Sequence, residues 1–182
     1  GCRYPLPEER SYQVELMTLL CSVPGNPPYD GMSQLVGLCI DEMYRWRDDS
    51  GANAEPRPYL MRIEPDVDEA LATYNIHLPQ DPYWWDVVDA LHDVGAYHQA
   101  MLAQRYAVPT LVDAVTAARR PQIRALLEET QIGASAETII HAFERMVATS
   151  IREFPILASV TRFDIGSARV AAIDLQDVAP QG

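Results

Sequence analysis

Lysine is missing from this chain of 182 residues: all 14 basic side chains are arginines. Its absence excludes Schiff-base chemistry, which needs a side-chain amine. It also excludes a complete G-x-x-x-x-G-K-[ST] phosphate loop, whose lysine reaches the terminal phosphates. Cysteine is scarce. Cys2, Cys21 and Cys39 are odd in number and lack C-x-x-C spacing, so neither a zinc site nor a disulfide framework is expected. Cys21 and Cys39 fall in apolar helical stretches and read as small core residues in a reducing compartment. No apolar run approaches membrane-spanning length. Positive charge is short as well, with a net charge of −12, so no direct nucleic-acid binding is expected. There is no G-x-S-x-G elbow and no cysteine beside a candidate base, which leaves nucleophilic hydrolysis without support.

What is present is enough apolar surface, 48% of residues, to build a core. The pattern predicts a mainly helical domain of about seven or eight helices over residues 1–158. Pro7 suits a first helical turn, with Glu8 and Glu9 at its positive end; this helix runs over residues 7–22. Tyr12, Leu16 and Leu19 form one stripe on it, with Val14, Met17 and Leu20 beside it. A second helix over 31–47 buries Leu35, Leu38 and Cys39, followed by a polar loop over 48–58. Short helices follow from Pro65 and from Asp81-Pro82, where Asp81 is expected to cap. Gly95 ends the latter, which carries Trp84, Trp85, Val88 and Leu91. Further helices are expected over 97–106, from a Thr110–Asp113 capping box through 118, and over 121–127. Ser135 caps the most amphipathic segment, with Ile139, Ile140, Phe143, Met146, Val147, Ile151 and Phe154 at three–four spacing.

Charge is unevenly placed. Eight acids and no base lie between Arg62 and Arg105, and a basic cluster of Arg105, Arg119, Arg120 and Arg124 follows. An acidic and a basic face on one body are candidates for docking to a partner, with an ordinary solvated surface as the other reading. Asp89 and His92 share a helix face, but one carboxylate–histidine motif falls short of the two copies and two extra glutamates of di-iron bundles. Glu137 and His141 form an i, i+4 surface pair. No catalytic, cofactor-binding or metal-ligating residue is assigned. Tyr83, Trp84 and Trp85 are either core or, for the two tryptophans, contacts for a partner.

Residues 159–182 read differently. Val170 to Ile173 is an unbroken apolar run that suits a strand buried on both faces, and Thr161 to Ile165 is a candidate hairpin partner. A lone strand leaves its backbone donors and acceptors unmatched. The expectation is a strand or hairpin belonging to a larger α/β core, and the lack of an initiator methionine before Cys2 agrees. The run ends at Asp174, as a Walker B strand does, but Leu175 stands where a glutamate usually follows, so Asp174 reads as a strand-end polar residue. Arg105 and Arg162 are candidates for arginines acting in trans or at an interface, with a structural ion pair as the plainer reading of both.

Six segments, spread in order over the chain, resemble one family. They are GCRYPLPEER at 1–10, GMSQLVG at 31–37, DEMY at 41–44, WWDVVDAL at 84–91, MLAQRYAVP at 101–109 and TRFDIG at 161–166. Together they resemble the IcmB/DotO-type (TraU-type) ATPases of type IV secretion and conjugation systems. The resemblance implies the helical domain inserted in a RecA-like core, plus the next core strand. It implies ATP and Mg²⁺ for the parent protein but no nucleotide-binding residue in this chain, since none matches. The implied partners are other subunits of the same ATPase and other secretion components, with a cytoplasmic location at the inner-membrane face. The alternative is a free-standing acidic helical adaptor that binds a basic partner.

Overall fold

The computed structural model describes residues 3–22, 30–130 and 134–159. These residues are mainly α-helical, with eight α-helices and a closing 3-10 turn. The anticipated C-terminal strand, with Arg162 and Asp174, lies outside the described residues.

Two hydrophobic clusters organise the fold. The first unites α1 (Pro7–Leu20), α2 (Met32–Arg47), α6 (Leu111–Ala118), α7 (Pro121–Thr130) and α8 (Ala136–Glu153). Its largest fully buried side chains include Phe143, Met32, Leu35, Ile40, Leu127 and Ile139. The second unites α3 (Pro65–Thr73), α4 (Trp84–Asp93) and α5 (Tyr97–Ala107) around Trp84, Trp85, Val87, Val88 and Leu91. The second cluster is contiguous in sequence and sits between α2 and α6, so the first is assembled from two separated stretches.

Local chemistry explains most helix ends. Ser135 caps α8 by accepting the Thr138 N–H on Oγ at 3.2 Å. At α6 the Asp113 carboxylate accepts the Thr110 N–H at 2.8 Å, as the capping pattern predicts. Gly95, at φ +80°, ends α4, and the Ala96 N–H returns to the Leu91 carbonyl at 2.9 Å. The start of α4 corrects the expectation for Asp81. That residue is left-handed, at φ +51°, and the helix begins at Trp84, with the Tyr83 N–H donating to the Asp86 carboxylate at 2.7 Å. Asp81-Pro82 instead shapes a turn in which the Pro82 carbonyl accepts the Tyr59 N–H and the Trp84 N–H reaches the Arg57 carbonyl, both at 2.9 Å.

The α8 stripe is buried at Ile139, Ile140, Phe143 and Val147, as its spacing requires. Of the two adjacent stripes on α1, Tyr12, Leu16 and Leu19 are exposed, while Met17 of the other, with Cys21 beyond it, enters the core. The rotation is fixed by α2. Arg10 clamps Asp41 through Nε and Nη2 at 2.6 and 2.7 Å, and its Nη2 reaches the Gly37 carbonyl. A Cβ on Gly37 would stand 3.4 Å from that Nη2, an ordinary contact with the end of a flexible side chain. The free thiols of Cys21 and Cys39 are buried, and burial pushes the Cys21 thiol up to about 12.

No helix among the described residues is long and apolar enough to cross a membrane.

Candidate interaction surface

The two tryptophans are core residues, the first of the two readings open to them in the sequence. Trp84 stacks on Tyr106 at 4.6 Å and meets Tyr59 edge-on at 4.9 Å. Trp85 is 1% exposed, its Nε1 donates to the Arg47 carbonyl at 2.7 Å, and the Arg3 guanidinium lies 4.6 Å above its ring. An aromatic triplet at a helix start carries no signal separating these outcomes; the neighbours Tyr59 and Tyr106 decide it from elsewhere in the chain.

The basic cluster is largely neutralised within the fold. Arg119 pairs with Glu144 at 2.8 Å, and Arg124 reaches Glu128 and Glu137 at 3.1 and 3.3 Å. Arg120 donates to Glu42 at 2.9 Å and lies 4.8 Å from the Trp46 ring. The buried Glu42 carboxylate also accepts from Arg45 and Gln122. The acidic stretch is divided in the same way. Glu64 accepts from Tyr106, Asp68 from Tyr59 and the Arg62 N–H, Asp86 from Tyr83 and Asp89 from Arg3. Asp66, Glu69, Asp81 and Asp93 remain exposed.

Asp89 and His92 do not act together. Arg3 grips Asp89 through both terminal nitrogens at 2.8 and 2.7 Å and grips Asp49 through Nε and Nη2 at 3.0 and 2.8 Å. His92 faces the Tyr97 ring at 5.0 Å. Glu137 and His141 approach to 3.9 Å on the surface of α8. Among the described residues no three His, Cys, Asp or Glu side chains converge as metal ligands.

The Arg3 contacts hold the Asp89 carboxyl down at about 2, below the ordinary carboxylate range. A depressed pKa contributes stability that is complete above the unfolded value, about 3.9 for Asp, and is lost as pH falls through the folded one. The Asp89 side chain is 45% exposed, so solvent screening holds this contribution to roughly 1 kcal/mol or less. Urea unfolding followed by circular dichroism should therefore show a loss of stability between about pH 4 and pH 2 that is smaller in Arg3→Gln. An identical acid profile in the two proteins would refute the linkage.

Sequence reasoning missed the ion pairs of one of the two most buried carboxylates, the other being Glu42. Asp113, 4% exposed, accepts from Arg47 at 2.7 Å and from Arg57 on its other oxygen. Arg57 also donates to the Val108 carbonyl at 3.0 Å, and burial lowers its pKa. These groups lie 66 and 56 residues apart in the chain, beyond any local pattern.

One surface is left uncompensated. A groove between α1, α2, the exit of α5, the start of α6 and the final turn (Pro155–Ala158) is lined by Leu16, Met17, Leu20, Met43, Leu111 and Leu157. Arg105, half-buried, lines the same groove and makes no hydrogen bond or ion pair among the described residues. Gln13 donates from Nε2 to the Tyr44 hydroxyl at 3.0 Å, and its Oε1 is buried without a partner. The exposed Tyr12 and Leu19 continue the apolar surface along α1 beside Leu16.

Among the described residues the groove offers binding contacts: apolar walls, an unpaired cation and an unsatisfied amide. In comparison with known proteins, the chain matches no family model, no curated protein and no solved structure.

Proposed function

We infer that this chain is the helical domain of an IcmB/DotO-type motor ATPase of a type IV secretion or conjugation system. Its role is to hold neighbouring subunits or other secretion components, at the cytoplasmic side of the inner membrane, while the parent protein binds ATP and Mg²⁺ elsewhere. The observation that carries the reading is the ordered set of resembling segments, several of which meet in space. Arg10, from the first segment, pairs with Asp41 from the third and touches Gly37 at the end of the second. Arg105, from the fifth, stands in the groove beside the exposed face of α1. A helical face with Tyr12, Leu16 and Leu19 exposed suits a domain that packs against further protein. The adaptor reading draws instead on the exposed acids Asp66, Glu69, Asp81 and Asp93.

The decisive test is the genomic reading frame around this sequence. The motor assignment expects G-x-x-x-x-G-K-[ST] upstream and an apolar strand ending Asp-Glu downstream; an open frame with neither refutes it. Titration calorimetry with MgATP should show no binding to this chain alone. A micromolar affinity, abolished by substituting a residue of this chain, would place a nucleotide site here and overturn the assigned role.

A further inference from the structure

The groove beside α1 combines three features that call for one kind of occupant. Its lining is mostly apolar, from Leu16, Met17, Leu20, Met43, Leu111 and Leu157. Apolar surface of this sort gains free energy in proportion to the area withdrawn from water. Arg105 supplies a positive charge that the fold itself leaves unanswered, in a chain of net charge −12 where Arg3, Arg10, Arg47, Arg57, Arg119, Arg120 and Arg124 each hold a carboxylate. Among the described residues Arg62, Arg145 and Arg152 also have no ion pair, but all three are exposed, where water solvates the charge. Arg105 is half-buried and keeps less of that hydration.

The third feature is Gln13. Whichever way its amide is turned, the Tyr44 hydroxyl satisfies one end, and the other end remains buried and unpaired. An unmet amide is what a peptide N–H or C=O answers.

We propose that this groove binds a peptide segment of another polypeptide, one that carries a single carboxylate flanked by bulky apolar side chains. The carboxylate meets the Arg105 guanidinium, the apolar side chains fill the space between Leu16 and Leu111, and a backbone group meets the Gln13 amide once that side chain turns out of its buried position. A lipid chain or simple fatty acid supplies the first two contacts and leaves Gln13 unanswered. The inference goes beyond the motor assignment, because it names the chemistry of a partner and stands whether or not the parent is an ATPase.

Selection from a random-peptide phage library against the full chain tests this directly. The expected result is a consensus with one Asp or Glu among Leu, Ile, Phe or Met. Synthetic copies should lose roughly tenfold or more in affinity when their acid is replaced by its amide. Arg105→Gln should abolish that discrimination between acid and amide, and Leu16→Glu should weaken both forms; circular dichroism confirms that each variant stays folded. Enriched peptides without an acid, or binding indifferent to Arg105→Gln and Leu16→Glu, overturn the proposal. So does enrichment of no peptide, the outcome if the groove is filled by residues 160–182 of the same chain or by a second copy. Sedimentation velocity identifies the latter as a dimer that Leu16→Glu dissociates.

Discussion

Asp113→Ala should be the most damaging single change in this protein, lowering the unfolding free energy by about 3–5 kcal/mol. The loss comes less from the attraction removed than from what is left behind. Arg47 and Arg57, with side chains 17% and 22% exposed, would keep their charges in a poorly hydrated site without their shared counter-ion. The Thr110 N–H at the start of α6 would lose its acceptor too. Set against a usual total of about 5–15 kcal/mol for a domain, that loss removes a large fraction of the folded state's margin. Urea unfolding of Asp113→Ala beside Glu144→Ala provides the scale. Glu144 pairs with the exposed Arg119, and its removal should stay within about 1 kcal/mol. Equal midpoints for the two variants would show that the Asp113 site is hydrated and of no special weight.

Trp85→Ala should approach the same size, about 3–5 kcal/mol, for a different reason. The ring fills the centre of the second cluster, and its removal leaves a cavity that Val87, Val88 and Leu91 close only in part. Its Nε1 also satisfies the carbonyl of Arg47, the last residue of α2, which has no partner within its own helix. Trp85→Phe separates the two contributions: most of the packing stays and the hydrogen bond goes. The expected order of urea midpoints is wild type, then Trp85→Phe, then Trp85→Ala. Coincidence of Trp85→Phe with wild type would assign the whole effect to packing.

Arg47 links these two results. Its guanidinium reaches Asp113 and lies 4.0 Å from the Trp46 ring, its carbonyl receives Trp85, and its Nη1 donates to the Glu55 carbonyl. Because the two sites share this residue, the losses from Asp113→Ala and Trp85→Ala should couple rather than add.

The parts legible in the sequence were those set by local pattern. The α8 stripe, the Ser135 cap, the Thr110–Asp113 capping pair and the glycine end of α4 all depend on residues within a few positions of one another. The failures share the opposite property. On α1 two apolar stripes run side by side at helical spacing, and which one turns inward depends on packing against α2 and on the Arg10–Asp41 pair, 31 residues apart, rather than on local pattern. Asp81-Pro82 has the chemistry of a helix start, yet it is held as a turn by backbone bonds to residues 57 and 59. The arginines were visible as a cluster, but their partners were not, because Glu42 and Glu144 come from other helices. Arg105 was legible as a candidate interface residue; that it alone among the half-buried arginines of the described residues has no side-chain partner there is a fact of three dimensions.

The nesting of one hydrophobic cluster inside the sequence of the other carries a consequence for engineering. Arg57 at the entrance of the inner unit donates to the Val108 carbonyl at its exit, so the two ends of that unit lie side by side. A cassette whose ends adjoin is tolerated as an insertion and is equally suited to excision or exchange. Bridging residues 57 and 108 with a short linker would change the closure entropy of the outer helices little, because that term grows only with the logarithm of loop length. The outer five-helix body would then be open to carrying a different cargo in the same seat, with the Arg47 carbonyl, now served by Trp85, as the group any replacement must still satisfy.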